Sequence, residues 1–518
     1  MSNDYRIMNK TTLIKNMKTK FFTILFLTVS INANLIFAQF TQQGPKLVGS
    51  GAVGNGQQGH AVYISSDGAT ALVGGTFDNT LTGAVWVYVQ NGGVWTQQGS
   101  KLIGSGGPTS YFGTSVSLSA DGNTALIGAP GENNHIGAVY VFTRTAGVWT
   151  QQGPRLIGTG NTGNSNQGSS VSLSVDGNTA LIGGCNDNNL TGAIWVFTRS
   201  GGVWTQQGSK LVGSGYVGSS YQGFSLSLSA DGNTAIVGGE LDNNSIGANW
   251  VFTRTGGVWS QVGSKLIGAY GAGSSQGYSV AISSDGNTFV SGGPDDAGSR
   301  GAVWVFVNNA GAWIQQGQKL FGSGGNGYYG GQGSSVSISS DGNTIISGGP
   351  TDSATGAVWV FTRNGGVWSQ LGTKLVGSGY SGVSFQGISV SLSSNGGTFI
   401  SGGSYDNGQM GAAWIFTDPT IGITPISSEV PKGFQLMQNY PNPFNPSTKI
   451  KFQIAKTGDT KIIVYDILGK EVVTLVSQQL APGTYEVDFD GSALSSGVYF
   501  YVLKTESFTA TKKLMLIK

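Results

Sequence analysis

Residues Tyr111–Gly153 read YFGTSVSLSADGNTALIGAPGENNHIGAVYVFTRTAGVWTQQG, and most of the chain is this stretch written again. The turn Asp-Gly-Asn-Thr that begins at Asp121 recurs at Asp176, Asp231, Asp285 and Asp341. Asp67 and Asn395 begin variants of it. Successive copies start 54, 55, 55, 54, 56 and 54 residues apart, which makes seven copies. A fixed period of this size belongs to a propeller, a solenoid or an array.

Each copy holds four short runs with strand character, separated by turn residues. In the quoted stretch Val116 and Leu118 alternate with serines, which puts apolar side chains on one face and hydroxyls on the other. Asp121-Gly122 closes a hairpin, since Gly accepts positive φ and Asp bonds to its own backbone. Thr124–Gly128 is continuously apolar, as in a strand covered on both faces, and Gly137–Phe142 is aromatic and β-branched. Val148–Ile157 supplies the fourth run. Four antiparallel strands per repeat describe a propeller blade. The fourth-strand text also stands at Phe40–Val48, ahead of the first copy, and is missing after Gly411–Phe416 in the last. A closed ring explains the displacement, because the N-terminal strand then completes the last blade. An open solenoid gains nothing from it. The expected fold is all-β: a seven-bladed β-propeller followed by a small immunoglobulin-like β-sandwich.

The length of 518 residues suits one large ring with an accessory domain. Charged residues make up only 10% and the net charge is +2, so the clustered Lys and Arg of a nucleic-acid groove are missing. Residues 1–38 read as a secretory signal, with Lys15, Lys18 and Lys20 ahead of the apolar run Phe21–Val29 and a cleavage point after Ala38. Met17 is an alternative start. That apolar run is too short to span a bilayer, and no other transmembrane segment is expected. One cysteine, Cys185, excludes an internal disulfide and is far from any lipid-anchor position. The ring is expected over 39–417, a linker over 418–433, and the sandwich over 434–518.

Tyr111–Thr150 resembles the FG-GAP repeat family of surface proteins, distantly related to the integrin α-subunit propeller. Its naming residues are Phe112-Gly113 and Gly128-Ala129-Pro130, which occur together in the second copy alone. Elsewhere the first point reads Gln-Gly (Gln58, Gln167, Gln222, Gln276, Gln332, Gln386) and the second Gly-Gly. The resemblance implies the propeller fold and surface recognition of varied kinds. Residues 434–518 resemble the C-terminal sorting domain of type IX secretion substrates, through Asn439–Ser447, Val464–Lys470, Gly491–Tyr499 and Lys512–Lys518. That resemblance implies export to an outer-membrane translocon, removal of the domain by a sortase, and a secreted or surface-held ring.

The candidate site residues fall into two groups. An acid recurs ahead of each third strand: Asp78, Glu132, Asp187, Asp242, Asp296, Asp352 and Asp406, with Asp295 beside Asp296. Neighbouring asparagines add oxygens, so the two readings are a loop-shaping role and calcium binding, for which six to eight hard oxygens are needed. The loops between copies carry Tyr111, Tyr216, Tyr221, Tyr270, Tyr328, Tyr329 and Tyr380 among Gly, Ser and Asn. Aromatics beside amides suit sugar rings, and they also suit plain rim packing. The repeated tryptophans, such as Trp86 and Trp95, are read as packing between blades, and the Asp-Gly turns as hairpins. His60, His135, Cys185, Glu240 and Arg300 interrupt the repeat without forming an acid–base pair that spacing alone can place. The leading functional reading is a secreted or surface recognition and adhesion module, non-catalytic, that binds a glycan or another extracellular ligand. The alternatives are a polysaccharide lyase or hydrolase on the same scaffold, and a structural surface-layer protein.

Overall fold

A computed structural model describes residues 40–91, 93–269, 271, 273–325, 329–418, 423–427, 430–480, 482–491 and 494–517. The expected signal segment, 1–38, and Tyr270 and Tyr328 lie outside the described residues.

The Ser-x-Asp-Gly-x-Thr text builds the first turn of every blade. Ser119 Oγ donates to Asp121 Oδ1 at 2.5 Å, which also accepts the Asn123 N–H at 3.0 Å, and Ser119 Oγ accepts the Thr124 N–H at 2.9 Å. Burial alone raises a carboxyl pKa, but these hydrogen bonds and the Arg144 charge outweigh it and hold Asp121 below its ordinary value. The motif is thus a self-satisfied hairpin. In the second blade it joins Val116–Leu118 to Thr124–Ala129, which pairs with Ala138–Thr145 and then Val148–Gln151. The same four-stranded order occurs in seven sheets.

Ring closure follows the displaced strand. Thr41–Gln42 pairs antiparallel with the last third strand, Thr41 opposite Thr417 and Gln42 opposite Phe416. Phe40 is buried beside Phe399, with ring centroids 5.1 Å apart, and the Leu47 N–H donates to the Ala413 carbonyl at 2.7 Å. The core lies between blades. Trp86 clusters with Val73 of its own blade and with Ile400, Ala413 and Ile415 of the last, and Trp195 with Leu126 and Val139 of the preceding one. A residue that seals each blade to its neighbour must repeat in each copy, which is why tryptophan marks this third-strand position.

The alternating serines of the innermost strands have a specific task. Those strands line the central channel and have no strand partner on that side. Ser172, Ser227, Ser337 and Ser391 accept N–H groups of the next blade, from Leu228, Ile282, Leu392 and Ile64, each at 3.1 Å. At the Asp-Gly end, Ala120, Val175, Ala230, Ser284, Ser340 and Ser394 each donate a backbone N–H to the next blade's carbonyl, at 2.9–3.2 Å. These links tie neighbouring blades together at that end of the channel.

The second all-β region consists of two four-stranded sheets. One runs Ile423–Ser427, Gly483–Asp490, Ser447–Ile454, Gln435–Leu436, and the other Glu471–Leu480, Gly458–Tyr465, Gly497–Thr505, Thr509–Leu516. Ile450, Phe452, Val464, Tyr501, Leu503 and Leu514 form its core. The sequence placed a featureless linker over 418–433, and this is corrected: Ile423–Ser427 is an edge strand, with Ile423 opposite Val487. Its Thr-Pro-Ile-Ser text reads as punctuation locally, and Pro is tolerated because a strand at a sheet edge has a free side.

Candidate ligand-binding face

The acids sit where the second strand hands over to the third. Each starts a turn whose next residues are left-handed: Asn133, Asn134 and His135 have φ of 51°, 55° and 65°. Asparagine is the side chain that visits this region most readily after glycine, so the repeated Asn residues meet a requirement of the backbone. Asp78, Asp187, Asp242, Asp296, Asp352 and Asp406 are buried, as is Glu132. Every one of them is paired with a base of the fourth-strand text: Lys101, Lys210, Lys265, Lys319, Lys374, Lys46 and, for Glu132, Arg155 at 3.1 Å. The second carboxylate oxygen has its own duty. Asp242 Oδ1 accepts the Val217 N–H at 2.7 Å, and Asp78, Asp187 and Asp406 likewise hold Val53, Thr162 and Ser381. Among the described residues no three His, Cys, Asp or Glu side chains gather as a metal site. Asp295 differs from the rest: it is exposed and accepts a bond from Ser275 Oγ at 2.7 Å.

Sequence reasoning missed the bases, although Lys or Arg recurs at one fixed point of each fourth-strand run. It also missed the work of the glutamines. Gln222 Oε1 accepts the Gly213 N–H at 2.5 Å while its Nε2 donates to the Gly213 carbonyl at 3.0 Å, which clamps the loop between copies. Trp250 Nε1 donates to the next residue's carbonyl, Ser214, at 2.9 Å. In the second copy Phe112 stands in the glutamine's place and packs edge-on to Tyr140, 5.4 Å away, while Glu132 and Arg155 replace Asp and Lys. The naming residues of the FG-GAP motif therefore belong to a packing variant of one buried joint.

Acid, base and glutamine together fix the loops that carry the tyrosines. Tyr216 and Tyr380 are exposed, each one residue before the amide held by Asp242 or Asp406. Tyr329 is 70% exposed. Tyr111 and Tyr221 occupy a position that is left-handed in every copy, at φ 53° and 60°; the others place Gln57, Asn166, Ser275, Gly331 and Phe385 there. A bulky side chain costs about 1–2 kcal/mol in that region, so three blades retain an aromatic where Gly or Asn is cheaper. The aromatics do not form one pocket. Tyr111 lies 6.4 Å from both Phe77 and His135, Tyr221 stacks on Phe224 at 5.8 Å, and Phe385 meets Tyr405 at 4.6 Å. Of these aromatics Phe224 also lines one mouth of the channel, a cavity of about 230 Å³ whose lining includes His60, Tyr278 and Ile388.

Cys185 is buried, and burial pushes its thiol pKa up, which suits a small packing residue better than a nucleophile.

Seven four-stranded blades closed by an N-terminal strand, with a second all-β region after them, define a β-propeller protein. The comparisons agree with both parts. The family model described as FG-GAP repeat matches residues 95–142, and that described as Secretion system C-terminal sorting domain matches 438–518. The chain thus carries an FG-GAP repeat within its β-propeller and a secretion sorting domain at its C-terminal end. It is 31% identical over 218 residues to integrin alpha-2 of Mus musculus, a match covering 38% of this chain and 18% of the integrin. Among solved structures, it is similar to hydrazine synthase of Kuenenia stuttgartiensis (16% identity, 68% and 94% of the two chains, TM-score 0.44). It is also similar to the Aleuria aurantia lectin (12% identity, 62% and 97%, TM-score 0.40). The sorting domain marks the protein for secretion or the outer-membrane surface. Among the described residues no helix is long and apolar enough to cross a membrane.

Proposed function

We propose that the ring is a non-catalytic recognition and adhesion module that binds an extracellular glycan, or another extracellular ligand, through its loop face. The observation that carries this reading is the retention of Tyr111, Tyr221 and Phe385 at a left-handed position beside loops held rigid by buried acids. Pre-set aromatic surfaces bind with little ordering cost, and sugar rings stack on them. The same reading gives residues 1–38 as a signal removed after Ala38, and the sorting domain as the partner of the translocon and its sortase. This reading does not call on calcium, since a lysine or arginine already pairs with each of the seven buried carboxylates.

The test is a glycan and matrix-protein array probed with the exported protein and with Tyr221→Gly and Tyr216→Ala variants. Binding by the parent that both variants weaken supports the reading. A folded parent that binds nothing on the array sinks it. Release of products from a polysaccharide favours the lyase or hydrolase alternative.

A further inference from the structure

Every base of the ring but one has a polar partner. Seven Lys and Arg side chains pair with the buried acids. Arg144, Arg199, Arg254 and Arg363 each donate to an asparagine of their own blade's first turn, at 2.8–3.0 Å. Among the described residues Arg300 has neither an ion pair nor a side-chain hydrogen bond; its guanidinium lies over the Phe321 ring, 4.4 Å from the centroid. Both residues depart from the repeat. Arg300 stands where the other copies have Thr82, Ile136, Thr191, Ile246, Thr355 and Met410, and Phe321 where every other copy has Val or Ile.

A third departure meets these two. The glutamine clamp between the fifth and sixth blades spans ten residues, against nine or eight in the other copies that have it. Elsewhere the clamp's amide nitrogen donates to the loop carbonyl. Across the longer loop Gln332 Oε1 still accepts the Gly322 N–H at 2.6 Å, but Nε2 has no partner, although Gln332 is only 2% exposed. The three residues are joined: the Gln332 N–H donates to the Arg300 carbonyl at 3.1 Å, and Gly322 follows Phe321. Arg300 and Gln332 line one cavity of about 10 Å³, with Gly325, Gly330, Asp352 and Trp359. That is room for one water or for one oxygen of a larger ligand. Asp352 is answered by Lys374, and Trp359 Nε1 donates to the Ser323 carbonyl at 2.9 Å, so the side-chain donors left over are Arg300 and Gln332 Nε2. A guanidinium and a buried amide nitrogen, both without acceptors at one opening, call for an oxyanion that the chain does not supply.

Phe321 also lines a groove of about 460 Å³ between the fourth strands of the fifth and sixth blades, together with Gln318, Val367, Trp368 and Ser369. The volume is that of a small-ligand site, and ring faces beside amides and a hydroxyl suit a pyranose. We propose that Arg300 and Gln332 hold an oxyanion, carboxylate or sulfate ester, of an acidic polysaccharide whose sugar lies on Phe321 and along the groove toward Trp368. The assignment deepens the loop-face reading and rests on it. An acidic peptide supplies the charge without the flat ring that the groove is lined to receive.

The experiment is titration calorimetry of the exported protein at low salt with four probes: a galacturonate hexamer, a sulfated galactose hexamer, the neutral galactose hexamer and a glutamate hexapeptide. Expected is binding of an acidic hexamer about ten-fold or more tighter than of the neutral hexamer or the peptide, the size of a charge-assisted hydrogen bond. The tighter of the two acidic hexamers names the oxyanion as carboxylate or sulfate. Arg300→Thr and Phe321→Val install residues that other copies carry at those points, so the circular dichroism of each matches the parent's. Arg300→Thr removes the preference for the acidic hexamer together with its salt dependence, and Phe321→Val weakens binding of that hexamer. An acidic hexamer bound equally by the parent and by Arg300→Thr overturns the assignment. The neutral hexamer bound as tightly as the acidic ones overturns the oxyanion and leaves loop-face glycan recognition standing. Glutamate hexapeptide bound as tightly as the acidic hexamers overturns the sugar. Binding of none of the four overturns the inference and leaves the cavity to water, while the array decides the broader reading separately.

Discussion

The Asp242–Lys265 pair is the sharpest test of how the loop face is held. The Asp242 side chain is fully buried and that of Lys265 is 15% exposed, and the carboxylate also holds the Val217 amide beside Tyr216. Asp242→Ala leaves the ammonium without a counter-charge and the loop amide without its acceptor. Breaking a buried pair from one side costs ~3–5 kcal/mol, and the lost amide bond adds about 1 kcal/mol. Asp242→Asn keeps an oxygen for Val217, so it loses the charge term alone. Lys265→Met strands the carboxylate instead, at a similar cost to Asp242→Asn. The double variant Asp242→Asn/Lys265→Met has neither charge, and the two costs cancel in large part, giving a coupling of roughly 2–3 kcal/mol. Urea unfolding of the exported protein, followed by tryptophan fluorescence, measures all four stabilities. Hydrogen exchange over residues 213–221 reads the loop directly: protection at Val217 falls in Asp242→Ala and survives in Asp242→Asn. Additive costs in the double variant, or an unprotected Val217 in the parent, would refute the account of these acids as loop clamps.

Three further outcomes follow from the same structure. Because each buried acid is paired with a lysine or arginine, millimolar calcium or a chelator leaves the thermal midpoint of the exported protein unchanged; a clear upward shift with calcium restores the metal reading. A Cβ on Gly213 would lie 2.1 Å from Trp250 Cδ1, so Gly213→Ala costs ~1–3 kcal/mol or more by overpacking, seen as a lower urea midpoint; a midpoint equal to the parent's contradicts that contact. Glu240 gives a pH signature. Its carboxyl stays protonated in the folded ring up to about 7 while the unfolded chain loses that proton near 4.5, so the unfolded state gains as pH rises through this window. The parent therefore loses about 3 kcal/mol across it relative to Glu240→Gln, and parallel pH–stability curves for the two proteins would rule out the buried carboxyl.

The blade was legible because its signals are local. Val116 and Leu118 alternate with serine, Asp121-Gly122 closes a turn through its own side chain, and Phe40–Val48 shows by its displacement where the ring shuts. The buried joint was half legible. The acids were visible as a repeat, but their asparagine neighbours suggested ligand oxygens until the left-handed φ values showed what asparagine does there. The edge strand Ile423–Ser427 was illegible, since its pairing with Gly483–Asp490 is between segments distant in the chain and its own text carries turn residues.

Taken alone, the sequence determined the number of blades, the strands within each, the closure of the ring and the kinship of both domains. Period, alternation and turn chemistry act within a few residues of each other, so a string of letters carries them. Only the tertiary structure decided that Lys265 answers Asp242 and that Gln222 clamps Gly213. Those contacts join positions whose separation depends on how the strands are stacked about the axis. Their energies come from burial and charge pairing, which exist once the blades have closed around them.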